Sequence, residues 1–328
     1  MKKSLLVIFT LAFCSALYAQ TEAVSNTIKA VVRRPNTVAV EAEQKQAPQP
    51  IEVKKEKPKK EESEKVIISR VDRNIPKTDI ISDSTFAFII CNEEYESLAP
   101  VPFAVHDGEI FAKYCEQTLG LPANHISVSK NASYGNMKKT IKRIQSLASA
   151  FEGDINVIFY YAGHGAPDDA TKQAYLLPVD VYNVDPDICI SLSELYQSLA
   201  DMNIRKTTIF LDACFSGAAR AEDGRMLASV RGVALRPKKE SPQGQMVVFS
   251  AATEEQTALP YTEEGHGLFT YYLLEKLQET AGDVTLEELG NYLTSKVLQQ
   301  SIIENDKPQR PTVSASDQAV DWQSWTLK

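Results

Sequence analysis

The feature that most constrains the fold is a series of short, mostly apolar segments separated by segments with helical spacing. The apolar segments predict five strands, over 84–91, 125–129, 155–163, 206–212 and 245–252. Strands that are apolar at nearly every position are buried on both faces. Because helical segments lie between them, the pattern predicts an α/β fold: a mainly parallel sheet of about six strands, flanked by helices on both faces.

Apolar residues at helical spacing predict the helices, over 103–119, 133–151, 191–202, 267–279 and 285–300. Two of these begin with a capping pattern, Ser191 with Glu194 and Thr285 with Glu288. In sheets of this kind functional residues gather at the carboxyl ends of the strands. The residues that follow each predicted strand are therefore the first candidates for chemistry.

The N-terminus has the pattern of a secretory signal peptide. Two lysines precede a short apolar run, and small residues follow up to Ala19, after which cleavage is expected. An alternative is a lipoprotein signal ending at Cys14, although Phe13 is large for the position before a lipidated cysteine. Either signal exports the protein, to the periplasm or the extracellular space. The apolar run is too short to span a bilayer, and no other segment predicts a transmembrane span.

The next stretch, 20–65, has no aromatic residue and is rich in Lys, Glu and Pro towards its end. Such a composition cannot bury enough apolar surface to offset the entropy cost of ordering. We therefore expect a disordered linker or pro-segment. Within 66–83, residues 66–74 are expected to add an edge strand, to serve as a linker, or to be removed by cleavage. The globular domain is predicted to cover 84–328.

Charge and cysteine content exclude several functions. The formal net charge is −8, which does not favour a nucleic-acid partner. The chain has five cysteines, and the four left after signal-peptide removal are too few for a disulfide scaffold. None of them lies in a CxxC or Cys/His cluster typical of zinc sites. No metal site is therefore predicted.

Two predicted strand ends carry residues suited to nucleophilic catalysis. The strand over 155–163 is followed by His164, and the strand over 206–212 is followed by Cys214. If the two strands are parallel neighbours, both side chains emerge at the same edge of the sheet. An imidazole lowers the pKa of a nearby thiol, and the thiolate attacks a carbonyl carbon. The pattern indicates a thiol nucleophile with an imidazole base, although each residue alone also fits a buried cysteine or a loop histidine.

Two backbone N–H groups beside these residues are candidate oxyanion donors. Gly165 has no side chain, so its N–H can approach a developing oxyanion closely, and the N–H of Cys214 is the second candidate. One such donor typically stabilises a transition state by about 2.7–4 kcal/mol.

Four motifs occur along the chain within 84–315. They read YYAGHG (160–165), DACFSG (212–217), VVFSAA (247–252) and GLFTYYLLEKL (267–277). On these motifs and their order the chain resembles the caspase-like cysteine peptidases, and their metacaspase and bacterial branches more than the animal caspases. The resemblance implies the caspase-hemoglobinase fold and hydrolysis of peptide bonds, with Cys214 as nucleophile and His164 as general base and acid. Ala162 and Phe215 stand where metacaspases often carry Ser and His, and neither change removes the dyad.

The resemblance also implies a pocket for the residue before the scissile bond. The family acid that selects Arg or Lys in metacaspases corresponds to Asp212. A second family acid corresponds to Asp107, and a wall position corresponds to Ser250. Paired carboxylates suit a guanidinium. The structural alternatives are a strand-end cap for Asp212, a helix N-terminal acid for Asp107 and an ordinary strand residue for Ser250.

The segment 218–244 resembles the linker that family members cut as they mature. A peptidase specific for basic residues would be able to cut its own chain there. The candidate cleavage sites are Arg220, Arg225, Arg231 and Arg236. The alternative is an ordinary solvated loop.

The resemblance leaves a calcium requirement open, because some metacaspases need this ion. Asp168 and Asp169 follow His164 but form no recognisable calcium loop, so no cofactor is predicted to be required.

The sequence thus predicts an exported cysteine endopeptidase that cuts protein or peptide substrates after Arg or Lys. Alternatives are a catalytically weak module that binds peptides or acts as a scaffold, and a peptide ligase that uses the same dyad. The oligomeric state is not indicated.

Overall fold

The computed structural model describes residues 68–182, 184–216, 237–253 and 255–328. The chain divides into two units, Met1–Ser63 and Glu64–Lys328, and all the described residues belong to the second unit. Several assignments made from the sequence lie outside the described residues and stay predictions. They are the signal peptide with Cys14, the linker 20–65 and the candidate cleavage sites Arg220, Arg225, Arg231 and Arg236.

The described strands are β1 (Thr85–Cys91), β2 (Ile126–Lys130), β3 (Asn156–Ala162), β4 (Gly165–Pro167), β5 (Ala174–Leu176), β6 (Ile190–Ser191), β7 (Lys206–Asp212), β8 (Met246–Ser250), β9 (Pro260–Tyr261), β10 (His266–Gly267) and β11 (Thr312–Ala315). The α-helices are α1 (Ala104–Gln117), α2 (Tyr134–Ala150), α3 (Leu192–Asp201), α4 (Leu268–Glu279) and α5 (Leu286–Asn305). The five strands and five helices predicted from the sequence are all confirmed, with small shifts of their ends.

A six-stranded sheet forms the centre of the unit, with the strand order β11-β8-β7-β3-β1-β2. Five of its strands pair in parallel, and β11 pairs antiparallel with β8 at one edge. The parallel strands β1, β3 and β7 are buried along almost their whole length. This is the α/β class, with a mainly parallel sheet of six strands, that the apolar segments predict.

Alternate strand residues face two separate cores, one on each side of the sheet. On one side Phe210 and Phe249 pack with helices α1, α4 and α5. On the other side Ile209 and Val248 pack with helices α2 and α3. Helices therefore cover both faces, and the strand alternation decides on which face each residue at a strand end lies.

Two of the helices begin at the caps that the sequence indicates. The Ser191 hydroxyl accepts a hydrogen bond from the Glu194 N–H at the start of α3. At the start of α5, Thr285 and Glu288 satisfy each other's backbone N–H groups in a capping box. None of the helices in the described part of the chain is long and apolar enough to cross a membrane.

Residues 68–83 pack onto the domain without adding a strand. The expected edge strand over 66–74 is absent from its described part, which forms turns instead. Backbone N–H groups there are satisfied within the turn, one of them by the Asp72 carboxylate, and such local bonds compete with strand pairing. Val71 is fully buried in the core with α1, and its carbonyl accepts a hydrogen bond of 2.8 Å from the Tyr114 hydroxyl.

Candidate active site

The topology brings the two predicted catalytic side chains together. β3 and β7 are adjacent and parallel, and their last residues, Ala162 and Asp212, are paired in register. His164 and Cys214 each lie two residues beyond that pair. Both line one cavity of about 260 Å³ at this edge of the sheet.

The imidazole of His164 is held in a defined orientation. Its Nε2 lies 2.7 Å from the carbonyl oxygen of Ala99, and since a carbonyl can only accept, Nε2 carries a proton. The backbone N–H of His164 donates to the Tyr95 hydroxyl, and the two rings are 4.7 Å apart. Burial lowers the pKa of His164, which favours the neutral ring. Nδ1 is then the nitrogen that can accept a proton from the thiol.

The segment that follows β8 covers the thiol of Cys214. The Ala258 N–H donates to Cys214 Sγ at 2.7 Å, and Sγ lies 3.6 Å from the Ala258 carbonyl oxygen. Burial raises the pKa of this thiol to about 12, so the conformation holds it neutral. Among the described residues, no hydrogen bond joins Sγ to His164. The hydrogen bond from Ala258 favours the charged form of the thiol, but burial outweighs it.

Gly165 brings its backbone against the nucleophile. The His164 carbonyl accepts a hydrogen bond of 3.0 Å from the Leu177 N–H. The next residue pair between β4 and β5 is Gly165 with Leu176. Because hydrogen-bonded and non-hydrogen-bonded pairs alternate along antiparallel strands, Gly165 and Leu176 form a non-hydrogen-bonded pair. The N–H of Gly165 consequently points out of the ladder. A Cβ on Gly165 would lie only 2.9 Å from the Cys214 carbonyl oxygen, so this close approach requires glycine.

Two buried carboxylates, Asp107 and Asp212, line the same cavity. A Cβ on Gly267 would lie 2.7 Å from Asp212 Oδ2 and 3.2 Å from Asp107 Oδ2. Both carboxylates therefore lie next to Gly267. Burial, and next the neighbouring Asp107, raise the pKa of Asp212 to about 7. Burial also raises the pKa of Asp107. A cationic side chain that enters between them would favour the charged form of both.

Each carboxylate is supported by a different partner. The Thr270 hydroxyl donates to Asp212 Oδ2 at 2.7 Å, and His266 Nδ1 lies 2.5 Å from Asp107 Oδ1. Burial disfavours a charge on His266, but hydrogen bonds to Asp107 and Asp72 outweigh it and raise the pKa of His266 to about 9. The positive charge of His266 therefore balances the negative charge of Asp107, whereas the charge of Asp212 is balanced less well.

Sequence reasoning missed His266, Thr270 and Ala258. A signal was available for the first two, because His266 directly precedes the motif over 267–277 and Thr270 lies inside it. No motif marked Ala258, whose role depends on how the chain after β8 returns over the cavity.

Ser250 is not part of this cavity, contrary to the expectation from the resemblance. It is the last residue of β8 and follows Val248 on the face covered by α2 and α3, whereas Asp212 follows Phe210 on the opposite face. Ser250 instead lines a separate cavity of about 70 Å³ with Phe215. The alternation of side chains along the strand thus excludes it from the pocket wall.

The carboxylate of Asp168 is used within its own turn. Its Oδ1 accepts hydrogen bonds from the backbone N–H groups of Ala170 and Thr171 and from the Thr171 hydroxyl. Those bonds, led by the Thr171 hydroxyl, lower the pKa of Asp168. Hydrogen bonds of this kind are typical of an Asx-type turn.

Comparison with known proteins identifies the family of the chain. A family model described as the caspase domain matches residues 84–321, a range that contains His164, Cys214 and both carboxylates but not Asp72. Among solved structures, the chain is similar to the crystal structure of caspase-1 from Spodoptera frugiperda, with a TM-score of 0.49 and 17% sequence identity over 76% of this chain and 94% of that one. The curated proteins give no match.

Proposed function

Because the chain belongs to the caspase-domain family of cysteine peptidases, we propose that it is an endopeptidase that cleaves proteins or peptides after Arg or Lys, with Cys214 and His164 as its catalytic dyad. The observation that carries the proposal is a single cavity lined by a thiol, an imidazole and two buried carboxylates. The thiol and imidazole supply the chemistry, and the carboxylates supply the preference for a cation.

Recognition rests on charge and shape. A guanidinium is always charged and presents its donors in a planar fork, so it can bond both Asp107 and Asp212. Lysine would offer a point charge to the same pair. An acidic substrate side chain would face two carboxylates and leave them unpaired in a buried site. Peptides with Asp before the scissile bond are therefore expected to be poor substrates.

The proposed reaction starts when the substrate displaces residues 257–259 from Cys214. The Sγ proton moves to His164 Nδ1, and the thiolate attacks the scissile carbonyl carbon. The electron pair of the carbonyl moves to its oxygen, which accepts hydrogen bonds from the N–H groups of Gly165 and Cys214. Collapse of the tetrahedral intermediate expels the amine, which takes the proton from His164. Water, deprotonated by His164, then attacks the thioester carbonyl carbon. The C–S bond breaks, the acid product leaves, and Sγ takes the proton back from His164.

Fluorogenic peptides and a covalent probe test this proposal. Wild-type protein should hydrolyse peptides ending in Arg or Lys and should be labelled by a basic acyloxymethyl ketone. Cys214→Ala and His164→Ala should lose both properties, whereas Cys189→Ala, which changes a buried thiol outside the cavity, should keep them. A preference for peptides ending in Asp would contradict the role of Asp212. No labelling, before or after treatment with trypsin, would support a non-catalytic binding module.

We also propose export and self-processing. Mature protein should begin at Gln20, while lipidation at Cys14 would identify the alternative signal, and N-terminal sequencing with mass spectrometry distinguishes the two. Self-processing predicts cuts after the arginines of 218–236 in wild-type protein only. If purified Cys214→Ala protein fragments at the same arginines, another peptidase makes the cuts.

A further inference from the structure

Three side chains meet on the side of His266 that faces away from Asp107. Asp72 comes from the turn segment before β1, His106 from the first turn of α1, and His266 from β10. Asp72 Oδ1 lies 3.1 Å from His266 Nε2, and Asp72 Oδ2 lies 3.2 Å from His106 Nε2. One nitrogen or oxygen from each of the three residues lies within 4.8 Å of the other two.

These separations suit a tetrahedral metal ion. Zinc binds imidazole nitrogen and carboxylate oxygen at about 2.0–2.2 Å. Two ligand atoms at tetrahedral positions around such an ion are therefore about 3.3–3.5 Å apart. The two nitrogen–oxygen separations, each to a different carboxylate oxygen of Asp72, are only slightly shorter than this. An ion could thus replace the shared protons with small movements of the side chains.

We propose that Asp72, His106 and His266 bind one divalent metal ion of the zinc type. Two imidazoles and one carboxylate form the protein ligand set of many three-ligand zinc sites, in which water takes the fourth position. Calcium and magnesium prefer oxygen ligands, so imidazole selects against them. The side chain of His106 is 37% exposed, which gives the ion a path from solvent and leaves room for that water.

Asp107 completes the site as an outer partner. Its Oδ1 lies 2.5 Å from His266 Nδ1, so the protonated Nδ1 faces the carboxylate and Nε2 faces Asp72. Carboxylate–histidine–metal arrangements of this kind fix the ring and raise its basicity as a ligand. The sequence predicted no metal site, because the three ligands are dispersed along the chain and Asp72 precedes the region matched by the family model.

Metal binding to full-length Cys214→Ala protein tests the inference independently of the proposed activity, because this background lacks the Cys214 thiol, which could itself bind Zn²⁺. After treatment with a chelator, the protein should bind one Zn²⁺ per chain by calorimetry, and Co²⁺ should give the visible spectrum of a tetrahedral site. His106→Gln should weaken Zn²⁺ binding at least about tenfold, and Asp107→Asn about 10- to 100-fold. His125→Gln, which changes a histidine outside the cluster, should bind like the parent.

The outcome is decisive because the competing explanation is a hydrogen-bonded cluster without a metal. That explanation predicts no Zn²⁺ binding by the Cys214→Ala parent, or equal binding by His106→Gln, and either result would overturn the inference. Asp72→Asn provides a second ligand variant of nearly unchanged size, and circular dichroism identifies any variant that fails to fold. Bound zinc should also raise the melting temperature of the parent but not that of Asp72→Asn.

Discussion

The ionisation of Asp212 controls how strongly the proposed pocket attracts a cation. Its pKa of about 7 means that the carboxylate is largely neutral below neutral pH and charged above it. We therefore expect kcat/KM for Arg peptides to increase as the pH rises from about 6 to about 8. Asp212→Asn should remove this increase and lower kcat/KM at the higher pH about 10- to 100-fold, because a charged hydrogen-bond partner is lost.

Asp168→Asn is the matched control for this profile, because it removes an acid that is committed to its own turn. A pH profile that is the same in wild-type protein and Asp212→Asn would show that another group titrates.

Thr270 links the pocket to the core beneath it. Tyr160 and Thr270 share a hydrogen bond of 2.7 Å between their hydroxyls, and Thr270 donates to Asp212. Thr270→Val leaves a buried phenol and a buried carboxylate without this partner, so we expect a loss of about 1–3 kcal/mol in the free energy of unfolding. The pKa of Asp212 should also rise, since the lost bond favours its charged form.

Urea unfolding and the pH profile for Arg peptides measure the two effects of Thr270→Val. Thr294→Val, which loses a hydrogen bond to the Pro311 carbonyl in another part of the domain, should leave the midpoint of the pH profile unchanged. A Thr270→Val midpoint that stays with the wild type would contradict the link to Asp212.

The proposed catalytic residues could be predicted from sequence because each stands in a short motif at a strand end. Cys214 and His164 need only the strand pairing to meet. Asp107 could be found only through the family resemblance. It lies in the first turn of α1, as a helix N-terminal acid does, and it also lines the cavity. His266 directly precedes a motif, but its pairing with Asp107 exists only in the folded domain. Asp72 could not be found this way, because its partners are distant in sequence.

At the scale of elements, the join between β10 and α4 shapes the acidic end of the cavity. Gly267 lies there, and a Cβ at this position would stand 2.7 Å from Asp212 Oδ2. Gly267→Ala should therefore push into the pocket and raise KM for Arg peptides at least about tenfold, a cost comparable with overpacking a core. Steady-state kinetics with peptides ending in Arg measures it.

Gly135→Ala is the matched glycine control, because its Cβ would have only one neighbour, at 3.9 Å, on helix α2. That substitution should leave KM unchanged and stabilise the helix by about 0.5–1 kcal/mol. Equal KM values for both variants would mean that the pocket relaxes around the added methyl group.

The elements that could be predicted from sequence are those long enough to show a regular pattern of apolar residues. In the parallel strands and the helices, this pattern lies within the residues of the element itself. The five strands of the two small sheets, β4–β5–β6 and β9–β10, are each two or three residues long, too short for any periodicity. β11 is half-buried at all four positions, since it lies at the edge of the sheet, and its antiparallel pairing with β8 depends on the path of the chain after α5.

At the scale of the whole molecule, the folded unit extends beyond the region that the family model matches. That region begins at residue 84, but the compact unit begins at Glu64. Val71 is fully buried, and Ser69 and Arg70 bond to acids on the α4 side of the domain, Glu264 and Glu275. The described part of the segment before β1, residues 68–83, therefore packs onto the domain.

Truncation tests this extension of the fold. A chain that starts at residue 84 loses the buried Val71 side chain and the acceptor of the Tyr114 hydroxyl. Full burial of such a side chain contributes about 1.5–3 kcal/mol, and an unpaired buried hydroxyl costs about 1–3 kcal/mol. We therefore expect this chain to be at least about 2 kcal/mol less stable to urea than a chain that starts at Glu64. Equal unfolding midpoints would place the true N-terminal boundary of the domain at β1, because the segment would then contribute no net stability.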